Sequence, residues 1–324
     1  MQEVDKITKK EYNMAKGDSP RSFLRKDTVM SATLVVLAAG LGSRFGGNKQ
    51  ISCVGPHDEC LMEYSIRDAI DAGFDRVVLI LKEEMIPIVR EKVGERLEKQ
   101  VRVDYAVQDY STVPAFYQIP ETRVKPFGTV HALLSASAYL DAPFATVNAD
   151  DYYGKDAYRI LYRMLSSLES KHDAAMVPYV LGNTMSRNGG VTRGVCEIRD
   201  GVLCRVDETK NIHYGEHDEI LSDRGELSPD VMVSMNIWGF HPDFVPRMQT
   251  YFEDFLRSLP EGEEKAECLL PIMVDDLISG GELTVRAEPS PDKWFGLTYR
   301  ADMDEVAEEL KRLHTEGAYP EELF

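Results

Sequence analysis

No two cysteines of this 324-residue chain have the spacing of a zinc-ligand pair. The five present, Cys53, Cys60, Cys196, Cys204 and Cys268, form an odd, scattered set without a CxxC unit. That argues against a structural zinc site or a disulfide framework and for reduced thiols in a cytoplasmic protein. Basic charge is also short: 37 Lys and Arg stand against 55 Asp and Glu, a formal net charge of −18. A broad cationic face for duplex nucleic acid or an anionic membrane is therefore excluded. The most apolar stretch, Thr33 to Leu41, is too short to cross a bilayer. The charged opening segment has no apolar h-region and does not read as a signal peptide. Internal repeats, low-complexity tracts, a Pro/Gly/Ser linker and an obvious Ser-His-Asp or Cys-His constellation are all missing. What remains is 43% apolar, enough for a sizeable core.

The apolar pattern alternates. Residues 33–38, 76–81, 101–108 and 144–151 read as strands, and 62–73, 85–99, 128–140 and 157–168 as helices. Such alternation predicts a parallel sheet with helices on both faces. The second half is more mixed, with short strands at 174–180, 194–198, 202–206, 233–240 and 283–288 and a closing helix over 303–314. The expected fold is α/β: a single mixed, mostly parallel, Rossmann-like sheet flanked by helices. Residues 1–30 read as a polar extension and 31–302 as one domain. Within it, 31–155 is a nucleotide half and 156–302 a second-substrate half; 303–324 is a C-terminal helix and tail.

The first strand runs into Ala38-Ala39-Gly40-Leu41-Gly42-Ser43-Arg44-Phe45-Gly46-Gly47-Asn48-Lys49-Gln50. Glycines after a buried parallel strand let backbone N–H groups approach a phosphate closely. The spacing is neither the GxxxxGK[ST] of a P-loop nor the GxGxxG of a dinucleotide site. Arg44 and Lys49 inside the loop suit a free polyphosphate. A strand ending in Asn148-Ala149-Asp150-Asp151 places carboxylates where ligands of open parallel sheets gather.

The loop is similar to the GxGxRxG…K motif of nucleotidyltransferases that make nucleotide sugars. Lys125 to Ala132 resembles the GTxHA stretch of N-acetylglucosamine-1-phosphate uridylyltransferases, and Val147 to Asp150 a family strand that ends in Gly-Asp. Val233 to Phe240 resembles the NxGIYxF strand of their sugar site. The hexapeptide repeats of the bifunctional members are absent. The resemblance spans roughly residues 31–300 and implies a GT-A-type fold. It also implies a transferase that joins an NTP, UTP favoured, to a sugar-1-phosphate and releases pyrophosphate. The alternatives are a cytidylyl- or guanylyltransferase acting on a non-sugar phosphate and a non-catalytic relative that binds a nucleotide sugar.

The resemblance also implies roles. Backbone of Ala39, Gly40, Leu41, Gly42 and Ser43 would cradle the triphosphate, with Arg44 on the β/γ-phosphates and Lys49 near the α-phosphate. Gln108, Gly128 and Thr129 would read the base. Asp150 would bind Mg²⁺ or Mn²⁺. The second acid of the family's WxDxGT motif is Gly296 here, which leaves Asp292 or Asp302 as the second ligand. Asp207, Glu208, Lys210 and Asn236 would face the sugar phosphate; Asp207 and Glu208 compete for one family position. His131 is expected to pack, and residues 109–123 to form an insertion over the site. With the net charge at −18, anionic substrates would depend on local cations: Arg44, Lys49, Lys125, Lys210, Lys293 and Arg300.

Overall fold

Strand β1 (Thr33–Leu37) is a run of β-branched and leucine side chains, buried along nearly its whole length because both faces of the sheet around it are covered. A computed structural model describes it and the rest of residues 30–40 and 51–324. After β1 come helix α1 (Leu61–Ala72) and strand β2 (Arg76–Leu81). Gly73 ends α1 in the left-handed region at φ 117°, where its N–H caps the carbonyls of Ala69 and Ile70. A broken series of helical turns over 83–97 leads to β3 (Arg102–Val107), then α2 (Thr129–Ser135), β4 (Phe144–Asn148) and the two-residue β5 (Asp151–Tyr152). Strands β4, β1, β2 and β3 lie side by side and parallel.

Helix α3 (Lys155–Leu165) opens the second half. It is followed by β6 (Asp173–Val180), β7 (Val191–Arg199), β8 (Val202–Tyr214), β9 (Ile220–Ser222), β10 (Gly225–Leu227) and β11 (Met232–Phe240). Helices α4 (Val245–Ser258) and α5 (Leu270–Ser279), strands β12 (Thr284–Ala287) and β13 (Phe295–Gly296), and helix α6 (Asp302–Thr315) complete the chain. The main sheet runs β10-β9-β8-β12-β6-β11-β4-β1-β2-β3, with β7 pairing β8 and β11. The expectation of a mostly parallel sheet is corrected here. In the second half only β12 and β6 are parallel, and the remaining pairings, including β11 against β4, are antiparallel. Antiparallel ladders need only short connections, and hairpins join β7 to β8, β8 to β9 and β9 to β10.

Two buried clusters hold the molecule. The larger fills the sheet face under α2, α4 and α5 with Phe127, Trp238, Phe240, Phe244 and Phe252. The smaller packs α6 and the tail onto α1 and β5 through Leu61, Tyr64, Tyr152, Leu310, Tyr319 and Leu323. The 109–123 segment is stitched down at its end. Arg123 lies over the Phe127 ring and donates to the carbonyls of Lys125, Pro126, Glu263 and Ala266. Among the described residues, no helix is long and apolar enough to cross a membrane.

The smaller cluster buries a carboxyl. Asp68 Oδ2 accepts from the Tyr319 hydroxyl at 2.7 Å, which also contacts the Tyr152 hydroxyl at 2.9 Å. Burial pushes the Asp68 carboxyl from its ordinary 3.8 up to about 7, against the Tyr319 hydrogen bond and the pull of Lys155. The folded chain therefore keeps a proton that the unfolded chain loses. This group costs the fold increasing stability as pH rises from about 4 through about 7. Asp68→Asn removes that penalty. In urea unfolding, the stability of the variant relative to the parent should rise by roughly 2 kcal/mol between pH 5 and pH 8; a difference independent of pH contradicts the protonated carboxyl.

Candidate functional site

The chain leaves β1 toward β2 on one side and returns by β4 on the other, so the ends of β1 and β4 diverge. Leu37 pairs with Asn148 at those ends. An open sheet forms its ligand crevice at such a switch point. A cleft of about 290 Å³ lies there, lined from the first half by Thr129, Asn148, Asp150 and Asp151. From the second half come Thr192, Arg193 and Gly194 of β7, Glu208 of β8, Ser234 to Asn236 of β11, and Trp294 and Thr298.

The floor is a chain of side-chain amides and a carboxylate. Asn236 Nδ2 donates to Asn148 Oδ1 at 2.8 Å, and Asn148 Nδ2 donates to Asp151 Oδ2 at 2.8 Å. The Tyr153 hydroxyl, fully buried, reaches Asp151 Oδ2 at 3.2 Å and the Met235 carbonyl at 2.9 Å. Asn236 gets its place from a bulge. The β6 register jumps between Ser234 and Trp238, and Asn236 sits there at φ 64°, a region asparagine tolerates better than most residues. Its Oδ1 is buried and accepts no hydrogen bond from any described residue.

Several expected site residues meet in this cleft: Thr129, Asp150, Glu208 and Asn236. The competition between Asp207 and Glu208 resolves in space. Glu208 lies opposite Gly194 in the β7–β8 ladder and lines the cleft. Asp207 is absent from the cleft lining; it borders a neighbouring cavity that Glu208 also lines, and pairs with Arg224 and Arg205. Burial raises the Glu208 carboxyl above its ordinary value, opposed by Lys210. Lys210 itself lines the neighbouring cavity and not the cleft.

Gln108 and Gly128 stand nearby but line no part of the cleft. Gln108 Nε2 donates to the Gly128 carbonyl at 3.3 Å and approaches His131 Nδ1 at 3.4 Å. A Cβ on Gly128 (φ 91°) would come within 2.7 Å of the Cys268 carbonyl. Thr129 Oγ1 accepts from the Leu270 N–H at 2.8 Å. His131 packs: its ring stacks on Phe252 at 5.3 Å, and burial lowers it to about 4.

Asp292 and Asp302 are spent elsewhere. Asp292 accepts from the Asp156 and Ala157 N–H groups at the start of α3. Asp302 accepts from the Thr298 and Tyr299 N–H groups, the Ser186 hydroxyl and the Asn188 amide. Gly296 lies opposite Asp151 in the β13–β5 pair, and a Cβ there would come within 2.5 Å of Asp151 Oδ1. The acid missing at 296 thus leaves room for the Asp151 carboxylate. Ala39 is buried and Gly40 exposed as the chain leaves β1. Leu41, Gly42, Ser43, Arg44 and Lys49 lie outside the described residues. The 109–123 segment lines no part of the cleft. Of the other expected cations, Lys125 pairs with Glu267 and Lys293 with Glu309.

Sequence reasoning missed Arg193. It lies in β7, at the end of a polar run over 183–194 of a type that reads as surface. The glycine that follows it, Gly194, packs closely on Val206 and Ser234. Among the described residues, no group of three or more His, Cys, Asp or Glu gathers to hold a metal. The cleft does offer hard oxygen donors, namely Asp150, Asp151 and the unengaged Asn236 Oδ1, which fit a cation of the Mg²⁺ type.

Residues 34–186 match the family model of the MobA-like NTP transferase domain. No curated protein sequence matches the chain. Two solved structures are similar in fold. One is assigned as a glucose-1-phosphate thymidylyltransferase from Bacillus anthracis, in complex with sucrose (TM-score 0.61, 13% identity, 87% of this chain and 96% of that chain covered). The other is an inositol-1-phosphate CTP transferase from T. maritima (TM-score 0.56, 12% identity, 87% and 97% covered). At these identities the likeness is one of fold.

Asn236 in its bulge gives a stability test. Asn236→Ala forces a Cβ-bearing residue without a local polar partner into the left-handed region and loses the bond to Asn148. That should cost about 2–3 kcal/mol in urea unfolding. Asn236→Gly loses the same bond without the strain and should cost less; the reverse order would contradict the strained bulge.

Proposed function

We propose that this protein is a nucleotidyltransferase for a sugar-1-phosphate, a reading supported by the match of residues 34–186 to the family model of the MobA-like NTP transferase domain. A phosphate oxygen of the acceptor attacks the α-phosphorus of an NTP, the bond from that phosphorus to the β-phosphate bridge breaks, and pyrophosphate leaves. The observation that carries this is a cleft lined from both halves. The acidic end of β4 faces Glu208, Asn236 and Arg193 across one cavity at the strand switch point. Both similar folds are named for transfer to a cyclic polyol phosphate, which supports an acceptor of that class.

The residues present suit this chemistry. A phosphate monoester is largely dianionic near neutral pH, its second pKa being about 6, so the nucleophile needs no base. Accordingly, no histidine lines the cleft among the described residues. Catalysis rests on holding two anions in line and offsetting their charge. Arg44 and Lys49 act on the triphosphate. Glu208 accepts from acceptor hydroxyls, its carboxylate being free of described hydrogen-bond donors, and Asn236 adds an amide edge. Asp150, with Asp151 and Asn236 Oδ1, would hold Mg²⁺, which when bound offsets the charge of the triphosphate. The Asn148–Asp151–Tyr153 network fixes the direction of that carboxylate.

The test is pyrophosphate release from four NTPs, each combined with a panel of sugar-1-phosphates and inositol-1-phosphate in the presence of Mg²⁺. One pair should turn over. Arg44→Ala, Lys49→Ala and Asp150→Ala should each lower that turnover by about 100-fold or more, as loss of a charge-stabilising group commonly does. Nucleotide binding without release from any pair would overturn the proposal in favour of a non-catalytic binder.

A further inference from the structure

The back wall of the cleft carries N–H groups left without an acceptor among the described residues. Arg193, Trp294 and Thr298 each line both the cleft and a second cavity of about 230 Å³ behind it, so these three residues are the partition between the two. Arg193 Nη2 donates to the Thr184 carbonyl at 2.7 Å, Nη1 to the Thr192 carbonyl at 3.1 Å, and Nε reaches Thr184 Oγ1 at 3.5 Å. These contacts anchor the guanidinium but leave an N–H on each terminal nitrogen unused. Asp151 and Asp302 act on it through longer-range attraction. Among the described residues no carboxylate is in ion-pair contact with it, and burial lowers the group to about 10.

Trp294 supplies an independent observation. It is only 6% exposed, and its Nε1–H has no hydrogen-bond partner among the described residues. An indole nitrogen can only donate, and a buried donor left unmade is costly. Its ring lies against Arg193, with the guanidinium carbon 4.8 Å from the ring centroid. Fixed N–H donors without an acceptor, carried by neighbouring side chains, are the composition of an oxyanion site. The location is specific as well. A Cβ on Gly296 would come within 2.5 Å of Asp151 Oδ1 and 2.8 Å of Trp294 Cζ2, so the indole and the Asp151 carboxylate flank one glycine.

We propose that Arg193 and the Trp294 indole N–H, with the Thr298 hydroxyl beside them, form the subsite that holds the phosphate of the acceptor. The role rests on the nucleotidyltransferase function proposed above; the subsite itself rests on the donors. Arg193 supplies the positive charge a dianion needs on this wall, and Mg²⁺, when bound, would offset the carboxylates at the end of β4. The acceptor's ring then points toward Glu208 and Asn236. A planar guanidinium that grips two oxygens while resting on an indole is not replaced by an ammonium, so lysine at 193 should not substitute.

Inorganic phosphate and glucose-1-phosphate are titrated into the full chain while tryptophan emission is followed. Trp238 is fully buried, and Trp294→Phe identifies the part of the signal that belongs to Trp294. The expected result is a saturable response that disappears in Trp294→Phe and persists in Arg44→Ala. It should shift to about 10-fold or higher phosphate concentration in Arg193→Gln and not be restored by Arg193→Lys. NTP binding unchanged in all three wall variants shows that they fold. In turnover, Arg193→Gln should raise the KM for the acceptor and leave the KM for the NTP alone. A phosphate response in Arg193→Gln equal to that of the parent, or one abolished by Arg44→Ala alone, overturns the subsite. Should the parent chain turn over no NTP and acceptor pair, the proposed function falls while the phosphate titration still decides the subsite.

Discussion

The hydrogen bond from Asn236 to Asn148 spans the seam on which the site depends. On one side lie four parallel strands, on the other a mainly antiparallel ladder, and β11 against β4 joins them. A regular β11 would carry the side chain of residue 236 along the pleat. The bulge instead turns it over the end of β4, where its amide meets Asn148 and, through it, Asp151. One irregularity thus couples a residue of the second half to the carboxylates of the first. The fully buried Tyr153, bonded to both Asp151 and Met235, locks the same joint from beneath.

The centre of the parallel half was legible because β1 and β2 are buried on both faces and read as nearly unbroken apolar runs, Thr33–Leu37 and Arg76–Leu81. The short strands of the second half were also visible, but not their direction. Local pattern carries no information on whether neighbours run together or opposed, and the alternation of the first half suggested a parallel continuation. Helices α4 and α5 were missed although Met248, Phe252 and Leu256, and Leu270, Met273, Val274 and Leu277, have helical spacing. Pro246 and Pro271 stand in the first turns of these helices, a position to which proline is well suited.

The candidate site was legible where chemistry follows from strand ends, as for Asp150. It was not legible where it depends on pairing register. Whether Asp207 or Glu208 faces the cleft is decided by the β7–β8 ladder, which places Glu208 opposite Gly194. Arg193 and Trp294 meet only because β7 and the segment before β13 converge on one wall, a contact between residues a hundred positions apart. The net charge of −18 is likewise a poor guide to this cleft. Lys125 and Lys293 are paired with carboxylates, whereas Arg193 stands in the cleft wall without one in contact among the described residues.

The central claim is transfer of a nucleotidyl group and not hydrolysis. The most direct measurement is the fate of an NTP labelled at its α-phosphate, incubated with the chain, Mg²⁺ and the acceptor that turns over, and followed by phosphorus NMR. The account predicts that the label enters a diphosphate linkage to the acceptor while pyrophosphate leaves unlabelled. Label recovered as free nucleoside monophosphate, whether or not acceptor is present, would contradict it.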